Sequence, residues 1–422
     1  MTFSDRLRAF GWVAIALIAG LVVIGLIKPW GLGIDFANFY DAGQKARAGE
    51  FGSLYDPFAL IAGREPLSHM TFFSAPVTSY FYAPLAALSP HMALFVFKAL
   101  GTAAMLLALV LLYREAKSLV GTSQNEEAIY FGLFAVAALF FQPFWTIYRV
   151  GGQTTPFVFL LLVLGNMAYV RGAFVWTALI FSLIVVIKPV FGPAAFLLFV
   201  LSSNRFRVTA LLAAAIVGGL SFMLFGWELH REFLARILEE NRVLLRPWMN
   251  SSPFSWIEPF FVAPEDYRGA SELPAGVRLI ETLARLGVGA ALLWALRRQW
   301  LLATDPGLRR HLIYCTALLL VIVISPVIWA HYLAILFIPL AFLIARANWL
   351  PKGAQVIFGF ATIMCFFQSL IVVRQLEKLF TFDTTGEILT IGLIKSLPAM
   401  LFILGMVWFH RSIAEALEEG FD

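Results

Sequence analysis

Long apolar runs alternate with short polar connections along almost the whole chain. The runs fall at about 9–28, 91–113, 127–147, 153–170, 173–187, 189–203, 208–226, 276–296, 311–330, 332–349, 353–373 and 387–409. Several approach the ~20 apolar residues a helix needs to cross a bilayer and others are shorter, so the pattern predicts an all-α polytopic membrane protein with about 11–12 transmembrane helices. The runs at 173–187 and 189–203 flank Lys188-Pro189, which fits either one kinked helix or two spans joined by a sharp turn. The stretch 76–90 is a candidate re-entrant segment. The first run follows a basic start, MTFSDRLRAF, as a signal peptide would. It is long and no convincing small-residue cleavage site follows, so it reads as an uncleaved first span.

Two connections break the rhythm, at about 29–90 and 227–275. In the second, ELHREFLARILEENRVLL repeats apolar residues at Phe233, Leu234, Ile237, Leu238, Leu244 and Leu245, with charges on the other face. That spacing predicts an amphipathic helix lying in the membrane interface. The first connection is rich in aromatic and turn residues, among them Phe36, Phe39, Tyr40, Tyr55, Phe72, Tyr80, Phe81 and Tyr82. A solvated linker needs no such content, so short interfacial helices packed on the membrane face are expected. No internal repeat, low-complexity tract or soluble domain stands out, and residues 1–422 read as a single integral membrane domain. An inverted-repeat transporter is expected to show matching halves, and none is evident.

Composition agrees. Of 422 residues 60% are hydrophobic and only 14% charged, where a soluble chain carries roughly a quarter charged. The net charge of +5 does not imply nucleic acid, because basic residues in such chains record topology. With the N-terminus cytoplasmic, every short inner connection is basic, from Arg6 and Arg8 through Arg114 and Lys117 to Arg411. Both termini then lie in the cytoplasm, and the two long connections lie on the outer face. Cys315 and Cys365 sit inside apolar runs and read as buried thiols.

Candidate chemistry gathers on that outer face. Asp35, in GLGIDFANFYDAG, lies seven residues past Lys28, at or just above the membrane boundary. A carboxylate held among aromatics there is placed to act as a general base, since partial desolvation raises its pKa. The competing reading is a helix N-cap, and one residue can serve both roles. Arg149 ahead of Gly151-Gly152-Gln153, Lys188 before Pro189, Arg242 and Arg246, and the turn Ser325 to Tyr332 with Trp329 and His331 share the same side. Lys188 and Arg149 run against the inner-side charge bias, which a phosphate at the lipid interface would explain. Snorkelling to headgroups is the plainer account of Lys188, and a hydrogen-bonded interfacial histidine that of His331. The charges gather at one rim, which favours an interfacial enzyme over a transporter. No His/Cys cluster or tight carboxylate trio has metal-ligand spacing, so no metal is expected. No phosphate-binding glycine loop is followed by Lys-Ser/Thr, and no cofactor is implied.

The ordered motifs GIDFANFYDAG, GEFGSLYDP, YFYAPLAALSP, RVGGQTTPF, VVIKPVFG and SPVIWAHY together resemble glycosyltransferase family 87 across residues 31 to 339. The resemblance implies a GT-C fold and a hexosyltransferase, with mannose the leading sugar. The implied partners are a polyprenyl-phosphate sugar donor presented at the outer leaflet, membrane lipids and a lipid or glycan acceptor. It places the base at Asp35. The donor phosphate falls to Lys188 and His331, with Arg149 and Arg246 as further cations. Substrate contacts fall to Asp41, Tyr40, Gln153, Trp329 and Tyr332, with Asp41 either structural or acceptor-facing. The family commonly carries Gly-Gln-x-Asn, whereas this chain has Gly152-Gln153-Thr154-Thr155, which puts an Asn contact to the donor sugar, and the sugar's identity, in doubt. A flippase of lipid-linked sugars or an O-antigen ligase or polymerase are the alternatives. The early, Asp-bearing aromatic loop argues against the ligase.

Overall fold

A computed structural model describes residues 2–28, 34–56, 72–118, 120, 123–145, 152–240, 250–264, 266, 272–347, 352–367 and 384–418. The architecture is helical. The elements are α1 (Phe3–Ile27), α2 (Ile34–Ala48), α3 (Pro90–Lys117), α4 (Gln124–Phe140), α5 (Thr155–Val170), α6 (Phe174–Ile187) and α7 (Gly192–Leu201). They continue with α8 (Asn204–Glu240), α9 (Ala275–Leu302), α10 (Pro306–Ile324), α11 (Phe337–Ala345), α12 (Lys352–Phe367) and α13 (Thr385–Glu418). Each of the twelve apolar runs carries a helix. Six of the described helices are long and apolar enough to cross a membrane: α1, α3, α8, α9, α10 and α13. Four shorter apolar segments stand beside them, at Thr155–Val170, Phe174–Ile187, Pro189–Leu201 and Ala330–Ala345. The protein is a multi-pass membrane protein.

Local sequence explains the breaks. Lys188 is extended, at φ −140° and ψ 93°, as the residue before a proline must be. It ends α6, and a 3-10 turn, Pro189–Phe191, leads into α7. The Lys188-Pro189 ambiguity thus resolves as two helices. α8 is two helices meeting at Gly226, whose φ of 71° is left-handed and open to glycine. The segment beyond it carries the expected helical spacing as far as Glu240, with Leu244 and Leu245 outside the described residues, and its apolar residues divide between burial and exposure. Leu229 and Phe233 are buried against the first outer loop, whereas Leu234 and Leu238 point outward. The 76–90 stretch is a chain of single turns, Pro76–Thr78, Ser79–Tyr82 and Leu85–Ala87.

Two cores hold these parts. The larger surrounds α10, which is largely apolar and buried on all sides from Leu312 to Val323, as a central helix must be. Asp305 caps it by accepting from the Leu308 amide at 2.6 Å. Tyr314 donates to the Leu162 carbonyl of α5 at 2.6 Å. The smaller core lies under the first outer loop. There Phe39 stacks on Tyr82 at 4.7 Å, Phe36 packs on Phe97 at 5.6 Å and Tyr55 donates to the Ser74 carbonyl at 2.9 Å. The described parts of the loop therefore form a packed platform, with Phe36, Phe39, Tyr55, Phe72 and Tyr82 buried against one another and the arm of α8, while Phe81 is exposed.

Charge is not confined to the rim. Lys98 in α3, Glu281 and Arg285 in α9, and Lys395 in α13 are buried within helices, so the rim argument against a transporter does not hold by itself.

Candidate active site

Asp35 lies in the first turn of α2, one residue inside the helix. The helix N-terminus favours a carboxylate there, and its neighbour Phe36, fully buried, pins the turn. Gly152 approaches from the other side. Its φ is +87°, and a Cβ at this position would stand 2.7 Å from the Phe36 Cβ, so only glycine brings the chain this close. The next residue, Gln153, is buried and donates a side-chain hydrogen bond to the Asp35 carboxylate.

Lys188, at the end of α6, acts on the same carboxylate electrostatically. The first outer loop holds that end in place: Ser74 Oγ donates to the Ile187 carbonyl at 3.0 Å, and the Ala75 amide to the Val186 carbonyl at 3.3 Å. Burial pushes the Asp35 carboxyl up to about 6, while the Lys188 ammonium and the Gln153 hydrogen bond pull it back down. Burial wins because the desolvation cost of a charge exceeds what these partners return.

Lys188 Nζ also donates to the Tyr332 hydroxyl at 3.2 Å and lies 4.4 Å from the centre of that ring. His331 meets Tyr332 edge to face at 4.7 Å. Its ring is buried, and Nε2 has no hydrogen-bond partner among the described residues. An unpaired buried imidazole nitrogen is costly, and a phosphate or hydroxyl ligand would satisfy it. Trp329, half-buried, precedes the 3-10 segment Ala330–Leu336 that carries both residues.

A clamp holds that segment. Asn250 Oδ1 accepts from the Ile328 amide at 3.0 Å and the Ser252 amide at 2.9 Å, and Nδ2 donates to the Pro326 carbonyl at 3.1 Å. The Ser251 amide donates to the Ile328 carbonyl at 2.6 Å. Sequence reasoning passed over Asn250-Ser251-Ser252. The only local signal was a polar triplet before Pro253 in the second outer loop, and its partners are backbone groups distant in the chain.

Asp35, Gln153, Lys188, His331 and Tyr332 thus meet. Asp41 and Tyr40 engage elsewhere: Asp41 pairs with Lys45 at 2.8 Å, and Tyr40 donates to the Leu88 carbonyl at 2.8 Å. Arg149 and Arg246 lie outside the described residues. Among the described residues no three of His, Cys, Asp and Glu come together.

These features define a class: an all-helical, multi-pass membrane protein with a carboxylate, amide, ammonium, phenol and imidazole converging where helices end. The family follows from a match of residues 72–326 to the model of Glycosyltransferase family 87. The chain belongs to glycosyltransferase family 87, and with it comes the GT-C fold that the motifs implied. The matched stretch contains Gln153 and Lys188, with Asp35 and His331 on either side. Solved structures of ArnT from Cupriavidus metallidurans are similar to it. The apo form has a TM-score of 0.44 at 13% identity, and the form bound to undecaprenyl phosphate 0.42 at 14% identity. Each alignment covers 96% of this chain and 78% of the other. No sequence relative was found among curated proteins.

Proposed function

We propose that this glycosyltransferase moves a hexose, with mannose first among candidates, from a polyprenyl-phosphate donor to a lipid or glycan acceptor, and that it inverts the anomeric centre. The observation that carries the reading is the Asp35 carboxylate, its pKa raised to about 6 and its flanks held by Gln153 and Lys188. Asp35 takes the proton from an acceptor hydroxyl. That oxygen forms the new bond to the anomeric carbon as the bond to the phosphate oxygen breaks. The electron pair leaves on the polyprenyl phosphate, already a stable anion, which Lys188 and His331 receive with Arg149 and Arg246 as further cations. Tyr332 orients Lys188, and Gln153 orients the base. Trp329 offers an aromatic face for the sugar, while the pairing of Asp41 with Lys45 favours a structural part for that carboxylate. The basic inner connections support a site facing the periplasm of a bacterial inner membrane, with both termini cytoplasmic.

The test is transfer itself. Purified protein in nanodiscs is incubated with radiolabelled polyprenyl-phosphate hexoses and membrane extract. The proposal expects label in a lipid or glycan product from one of them, mannose first. Absence of transfer from every such donor refutes it.

A further inference from the structure

A cavity of about 230 Å³, with charged side chains in its wall, opens where the second outer loop meets α9. Asn250, Glu258, Arg278, Glu281, Thr282, Arg285, Pro326 and Val327 are among its lining. It backs onto the strap of chain that Asn250 clamps, on residues distinct from the Asp35 cluster. Glu281 and Arg285, one turn apart on α9, pair with each other and are buried. Neither is satisfied by that pair alone. Glu281 Oε1, Arg285 Nε and Arg278 Nη1 are buried without a hydrogen-bond partner among the described residues, although Glu272 stands 3.6 Å from Arg278 Nη1. Burying such atoms unsatisfied is costly, and charged groups inside a membrane helix are kept for a reason.

The pattern of charge names the ligand class. Among the lining side chains Glu281 offsets Arg285, and Glu272, outside the lining, offsets Arg278. Glu258 is buried beside Glu281, and that burial together with the Glu281 carboxylate raises its carboxyl well above the usual range. A phosphate would meet no net positive charge. What the wall offers is one open acceptor next to open donors, the complement of a hydroxyl, which donates and accepts at once. Leu273, Leu286 and Ile324 line the apolar side, and Leu286 is itself exposed toward lipid.

We propose that this cavity binds a neutral polyhydroxylated group, a sugar or polyol, held by Glu281, Arg285, Arg278 and Glu258. Its part as the acceptor-holding site rests on the transferase reading above, whereas binding as such does not.

Direct binding separates the two. The full chain is placed in nanodiscs, free of sugar detergents, and titrated calorimetrically with methyl α-D-mannopyranoside, myo-inositol, a long-chain alkyl mannoside and inorganic phosphate. The cavity is blocked by Thr282→Trp, at an exposed lining position that leaves the buried pair intact. Glu258→Gln serves as a second, near-isosteric probe. The expected result is binding of at least one neutral polyol to the wild type, weakened at least tenfold by Thr282→Trp and several-fold by Glu258→Gln, with Asp35→Asn binding as the wild type does. If the alkyl glycoside binds far better than the methyl glycoside, the source is a lipid headgroup; equal binding means a free sugar. Equal affinity in the wild type and Thr282→Trp, or no polyol binding to a folded wild type, overturns the proposal. Phosphate binding that Thr282→Trp abolishes overturns it as well. None of these outcomes depends on whether Asp35 is a base.

Discussion

Lys188 contacts Tyr332 and acts electrostatically on Asp35, so removing its charge has a consequence for pH. Burial raises the Asp35 carboxyl to about 6, and a general base works only when deprotonated. On that basis about nine-tenths of Asp35 is ionised at pH 7 and about one-tenth at pH 5, so kcat/KM falls roughly tenfold between them. Lys188 lowers the Asp35 pKa. Losing a nearby opposite charge raises a carboxylate's pKa. In Lys188→Met the acid limb therefore shifts upward, whereas Lys188→Arg keeps it near 6. The assay is single-turnover transfer from a labelled donor across pH 4.5 to 9, reading the midpoint of the limb and not its height, since donor binding also weakens in Lys188→Met. An unmoved midpoint in Lys188→Met refutes the electrostatic coupling. The same shift bears on stability. The folded value lies above the ordinary 3.8, so ionised Asp35 is disfavoured in the folded state. The penalty is absent below about pH 4, grows as pH rises to about 6, and levels off near 2–3 kcal/mol. Asp35→Asn is therefore expected to melt higher than the wild type at pH 7.5 and to lose that advantage at pH 4.

Gly152→Ala forces a Cβ toward Phe36 at a left-handed backbone position and is expected to cost about 1–3 kcal/mol, seen as a lower Tm together with reduced transfer. An unchanged Tm would mean that the Gly152 approach is not tight. Asn250→Ala leaves the Ile328 and Ser252 amides unpaired and is expected to destabilise by about 2–4 kcal/mol and to lower transfer by loosening His331; full activity would dismiss the clamp. Tyr40→Phe loses the bond to the Leu88 carbonyl, about 1 kcal/mol, with KM for both substrates unchanged; a raised KM would return Tyr40 to substrate binding.

The membrane helices could be read from the chain because a ~20-residue apolar run has few folded outcomes in a bilayer. Even the break at Lys188-Pro189 was written locally, since proline forces its predecessor to be extended. The arm beyond Gly226 was half visible. Its helical spacing was plain, but the burial of Phe233 against the first outer loop depends on a surface formed by chain far away. The site followed the same division. Asp35, Gln153, Lys188 and His331 stood out as polar residues in aromatic or apolar surroundings, and the family resemblance linked them. Asn250 did not stand out, because its hydrogen bonds go to distant backbone. Glu281 and Arg285 did carry a signal, an i,i+4 charge pair inside an apolar run, but the bias of charge toward the rim hid it.

The central claim is that Asp35 removes the proton in a sugar transfer from a polyprenyl-phosphate donor. The direct measurement is single-turnover transfer by purified, folded Asp35→Asn beside the wild type, with the donor that the wild type accepts. Product formation is expected to fall by at least a thousandfold, while donor binding stays within a few-fold of the wild type. Transfer at the wild-type rate by Asp35→Asn would contradict the account.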